Sequence, residues 1–105
     1  MATNRIEQLQ KFYEEDPNDP FNLYALATEH LSTEPLKSLA LFEKLLDEHS
    51  AYLPTYYHAA KLYQDLGEKE RAIAVYEDGM LLARKLNELK TLRELQSAYD
   101  ELMFE

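Results

Sequence analysis

Asp65-Leu-Gly-Glu-Lys-Glu-Arg-Ala-Ile-Ala-Val-Tyr-Glu-Asp-Gly79 holds the only two glycines in a chain of 105 residues. A glycine beside charged residues serves one of three ends: a phosphate cradle, a tight turn, or a place where two helices nearly touch. Ala72, Tyr76, Gly79, Ala83 and Leu86 fall at three- and four-residue intervals, the signature of a helix with one buried face. Gly79 lies on that stripe, so it is predicted to be helical, its missing side chain admitting a neighbouring helix. That need must outweigh about 1 kcal/mol of helix propensity relative to Ala. Gly67 follows a second stripe, Tyr56, Ala59, Ala60, Tyr63 and Leu66, and is predicted to close that helix with positive φ. Gly67-Glu68-Lys69 lacks the further glycines and the strand of a phosphate loop, so that reading is discarded.

Outward from this stretch the same period continues. Ile6, Leu9, Phe12 and Tyr13 share one side of a helix over 3–15, with Asn4 and Glu7 spaced as a capping box. Asp19 before Pro20 starts a second helix, Pro20 to about Leu31, with Leu23, Leu26, Ala27 and Leu31 inward. Ser32-Thr-Glu-Pro35 breaks it and offers a hydroxyl cap to a third helix reaching about Glu48, which buries Leu39, Phe42, Leu45 and Leu46. Pro54 limits the start of the fourth helix, because the residue before proline avoids helical angles. Asn87 is expected to stop the fifth helix in the left-handed region. The sixth, about Glu88 to Leu102, presents Leu92, Leu95, Tyr99 and Leu102. No segment alternates with period two, so six helices and no sheet are expected.

The helices repeat. Pro20 and Pro54 are 34 positions apart, as are Phe42-Glu43 and Tyr76-Glu77, while Leu23-Tyr-Ala-Leu-Ala27 matches Tyr56-Tyr-His-Ala-Ala60 at a shift of 33. The one-residue slip falls in the turn, where a helical-hairpin repeat tolerates it. Large, small and aromatic positions recur together: Tyr56, Ala59, Ala60, Tyr63, Ala72, Tyr76 in one unit and Leu23, Leu26, Ala27, His30, Ser38, Phe42 in the other. In these positions the chain resembles the tetratricopeptide repeat family, closely over Asp16 to Ala83 and loosely at both ends. Asp16-Pro-Asn-Asp19 resembles that family's junction between repeats. Leu45 stands where the second unit has Gly79, and Arg84 replaces the usual late proline, so the fifth helix is expected to run long.

The resemblance implies an all-α fold, a right-handed superhelical stack of antiparallel helix hairpins. It divides a single domain into an N-terminal capping helix (3–15), a first repeat (20–49), a second repeat (53–86) and a C-terminal capping helix (88–103). Lys90, Arg93, Glu94, Asp100 and Glu101 lie off the leucine stripe of the last helix and read as its polar back. The family implies a concave groove receiving a peptide or helix. Carried over position by position, its wall is Phe21, Tyr24, Thr28, Leu31 and Ser32, then Pro54, Tyr57, Lys61, Gln64 and Asp65. One subfamily grips carboxylates at chaperone C-termini with Lys, Asn and Arg. Here Tyr24 and Thr28 occupy such positions, with His58 following in the second unit, and no full third unit brings the remaining cations, so no binding of that kind is expected.

Charge and chemistry narrow the classes further. Twenty acidic residues against 11 basic ones give −9, with no basic run to replace the counterions of a nucleic acid or meet an anionic membrane. A basic or neutral protein or peptide is the expected partner. With no cysteine there is no thiolate chemistry, which suits a reducing cytoplasm. His30 reads as a core residue, His49 and His58 as surface residues, and none has metal-ligand spacing. No nucleophile elbow, cofactor motif or catalytic pair is apparent. The expectation is a non-catalytic interaction module without cofactor; the alternative is weak self-association through the end helices, above all the Leu92/Leu95/Tyr99/Leu102 stripe.

Overall fold

In a computed structural model, which describes residues 2–105 and, for side chains, residues 5–105, the described residues form six α-helices and no strand. They are α1 (Ala2–Glu15), α2 (Pro20–His30), α3 (Pro35–Glu48), α4 (Pro54–Asp65), α5 (Lys69–Lys85) and α6 (Leu89–Met103). Contacts divide them into two units, Met1–Tyr52 and Leu53–Glu105.

In the first unit α2 packs on both α1 and α3. The Asp19 side chain accepts from the Phe21 N–H at 2.9 Å, and Pro20 at the first helical position forgoes a donor that would have had no partner. Asn22 donates to the carbonyls of Phe12 and Asp16, both at 3.3 Å, closing the end of α1. The inward faces are Leu23, Leu26 and Ala27 on α2, and Phe42 and Leu45 on α3. Ser38 is fully buried, its hydroxyl donating to the Ala27 carbonyl at 2.6 Å. His30 (2% exposed) takes the buried place expected of Leu31, which is half-buried at the cap. Leu39 and Leu46 are likewise half-buried.

Two expected caps differ or fall elsewhere. No side-chain hydroxyl caps α3: the N–H groups of Thr33 and Glu34 both turn back to the His30 carbonyl, and Pro35 needs no acceptor. The backbone has closed that turn without the hydroxyl of Ser32 or Thr33. The Asn4 side chain lies outside the described residues.

In the second unit α5 packs on α4 and on α6. Leu53 takes helical angles (φ −56°, ψ −39°) despite preceding Pro54; its side chain is buried and its carbonyl accepts from Tyr56 N–H at 3.2 Å. Gly67 has φ +81° and Asn87 φ +58°, and both close their helices in one pattern. After α4, Glu68 N–H reaches the Tyr63 carbonyl at 2.8 Å and Gly67 N–H the Gln64 carbonyl at 3.1 Å; Glu88 to Ala83 and Asn87 to Arg84 repeat these distances. This is the Schellman arrangement, which satisfies carbonyls the helix end leaves free. Leu66 (38% exposed) and Leu86 (47%), expected on the buried stripes, are the residues where the chain departs into these turns.

Gly79 is helical and buried. A Cβ there would lie 2.7 Å from the Tyr56 Cβ and 3.2 Å from the Leu95 Cδ1, so α4 and α6 both close on this point of α5. Ala72, Tyr76 and Ala83 share its face and are fully buried. With Arg84 in place of proline, α5 extends to 17 residues against 14 for α3.

Candidate interaction cavity

Helix α4 turns Tyr57, Lys61 and Gln64 to one side, at the i, i+4, i+7 spacing that aligns side chains along a helix. Opposite them α6 presents Lys90, Arg93, Glu94, Ser97, Ala98 and Glu101, and the two rows line an open cavity of about 370 Å³. Gln64 Nε2 donates to Glu105 Oε1 at 3.5 Å, so the C-terminal ends of α4 and α6 lie at the same end of the cavity. Tyr57 is 37% exposed, its ring edge-on to His58 at 5.8 Å. The buried Tyr76 hydroxyl donates to Gln64 Oε1 at 3.4 Å. Burial, with Tyr57, Asp65 and Glu101 nearby, pushes that hydroxyl up to about 12.

Three of the sequence-predicted positions, Tyr57, Lys61 and Gln64, therefore come together; Asp65 is exposed beyond the lining. On α2, Phe21 is 59% exposed and Tyr24 half-buried, meeting Tyr52 edge-on at 5.7 Å. Burial raises the Tyr24 hydroxyl's pKa. The Thr28 hydroxyl donates to the Ala25 carbonyl at 3.0 Å, Leu31 is half-buried, and Ser32 and Pro54 are exposed.

The α6 wall is what sequence reasoning missed. Lys90, Arg93, Glu94 and Glu101 were read as the outer back of a cap, yet they line the cavity, and two are cations of the kind expected to be missing for want of a third unit. The signal was available: adding the repeat shift of 33 to Tyr57, Lys61 and Gln64 gives Lys90, Glu94 and Ser97. His49 and His58 are half-buried rather than surface residues, and burial lowers the pKa of His58. Leu95 and Leu102, half of the stripe considered for self-association, are buried within the second unit. Among the described residues no cluster of three or more His, Asp or Glu side chains is arranged to hold a metal, and no helix is long and apolar enough to cross a membrane.

No protein-family model matches the chain, and no curated protein matches it. Solved structures do. The chain is 44% identical to a tetratricopeptide repeat domain protein from Salinibacter ruber in its solution NMR structure, with a TM-score of 0.78 over 83% of this chain and 89% of that one. A crystal structure of a tetratricopeptide repeat domain protein from the same organism gives 43% identity and a TM-score of 0.78, over 81% and 97% of the two chains. A crystal structure of MamA, at 20% identity, shares the fold with a TM-score of 0.71, covering 97% of this chain and 58% of MamA.

Proposed function

This chain belongs to the tetratricopeptide repeat family, and from that premise we propose that it is a non-catalytic scaffold that binds a peptide or helix of a protein partner. The observation that carries the reading is the cavity between α4 and α6, where Tyr57, Lys61 and Gln64 converge. Tyrosine suits such a wall because its ring offers apolar area and its hydroxyl a polar handle. Phe21, Tyr24 and Thr28 on α2, Leu31 at its C-cap and Asp65 on α4 are proposed as further partner contacts.

Residues 20–49 and 53–86 are proposed as two repeats, 3–15 and 88–103 as the capping helices, the last also serving as a cavity wall. The net charge of −9 argues for a protein in preference to nucleic acid or an anionic membrane. The absence of cysteine suits a cytoplasmic setting. Self-association is the lesser reading, because Leu95 and Leu102 are already consumed in the core.

The test is capture of the partner from native extract on immobilised chain, with Tyr24→Ala/Tyr57→Ala and Lys61→Ala/Gln64→Ala in parallel. The expected result is loss of the partner with helix content unchanged. A partner retained at full yield by both variants overturns the reading.

A further inference from the structure

The cavity between α4 and α6 is polarised along its length. Because the two helices run in the same direction, their N-terminal turns place Tyr57 and Lys90 at one end, with Lys61, Arg93 and Glu94 about a turn further on. Toward the other end stands Glu101, and Glu105 reaches Gln64 there. Three cations against one carboxylate mark the first end, two carboxylates without a cation the second. Lys61, Lys90 and Arg93 are three of only 11 basic residues in a chain of net charge −9, and no ion pair ties them down among the described residues. A wall that served solubility alone would have no reason to sort its charges by end.

Resting on the reading of this cavity as a partner site, we propose that it selects an extended segment bearing an acidic and a basic side chain about five residues apart. The acid meets Lys61, Lys90 and Arg93; the base meets Glu101. The spacing follows from the wall. Lys90 and Glu101 are eleven residues apart on α6, about 16 Å at 1.5 Å per residue. An extended strand covers that in about five residues at about 3.3 Å each. A helix would need about eleven residues to span the same distance, so the extended form joins the two charged ends with fewer residues to order. The overall negative field draws basic partners in, while the basic end sets where the acid must sit. A uniformly basic segment gains from the field but meets repulsion at that end.

The experiment is selection from a random 12-residue peptide display library on the full chain, on Lys90→Glu/Arg93→Glu, on Glu101→Lys and on Tyr57→Ala. All these side chains are exposed, and circular dichroism checks that each variant folds. Wild type is expected to return peptides pairing Asp or Glu with Lys or Arg at that spacing, in either chain direction. The double reversal should return two basic positions, and Glu101→Lys two acidic ones. A synthetic wild-type-selected peptide should bind each reversed variant about tenfold or more weakly. An uncharged consensus, or the same motif from all variants, overturns the proposal; if those peptides still need Tyr57, the partner-site reading survives. Selected peptides indifferent to every one of these variants overturn both.

Discussion

Gly79→Ala should destabilise this protein, against the ordinary rule for a glycine inside a helix. In an exposed helix the change gains about 1 kcal/mol of propensity. Here the new methyl carbon would sit 2.7 Å from the Tyr56 Cβ, 3.1 Å from its Cγ and 3.2 Å from Leu95 Cδ1. The Tyr56 Cβ is one bond from the backbone, so no rotamer change moves it away, and Leu95 is fully buried. Helix α4 must shift, which places the cost near the upper part of the usual overpacking range of about 1–3 kcal/mol. Subtracting the propensity gain leaves a net loss of about 2 kcal/mol. For a domain of this size that lowers Tm by about 8–16 °C. Urea denaturation followed by circular dichroism should show a lower midpoint with an unchanged slope. Ala74→Gly, on the exposed face of the same helix, controls for propensity and should cost about 1 kcal/mol. A Gly79→Ala midpoint equal to or above wild type would refute the close approach of α4 to α5.

Two further outcomes test other parts of the fold. Ser38→Ala removes the 2.6 Å bond to the buried Ala27 carbonyl, and should lower stability by about 1–3 kcal/mol in the same urea measurement. The burial that lowers the pKa of His58 gives stability a pH dependence: as pH falls below the unfolded histidine's value of about 6.5, the unfolded chain takes up the proton more readily than the folded one. Stability should therefore decline with acidification through that window, and His58→Asn should flatten the slope.

The parts of the fold legible in the sequence are those where one physical requirement dominates. Gly67 and Asn87 follow an apolar stripe, and only a left-handed residue closes a helix so economically. Gly79 sits mid-stripe, where only a close contact justifies it. Leu66 and Leu86 misled because periodicity carries no record of where the backbone stops obeying it; both keep the spacing and have already left the helix. His30 is deeper than Leu31 for the converse reason: its place on the helix face outweighs its polarity. The α6 wall was hidden because a charged row facing an open cavity has the same composition as one facing bulk solvent. Only the repeat register, carried one unit further, separates the two.

The Gln64 side chain makes the cavity unequal in what it asks of an occupant. Its amide nitrogen leans on Glu105, beyond the end of α6, while its oxygen receives the hydroxyl of Tyr76 from the interior. A guest that accepts a hydrogen bond displaces only the exposed Glu105 side-chain carboxylate. A guest that donates one competes with a buried phenol and draws the inner layer of the repeat into the binding event. Because the chain has no tryptophan, tyrosine emission is not masked. Comparing a guest's effect on emission in the wild type and in Tyr76→Phe isolates this one of eight tyrosines, and so reads which face of the amide is engaged.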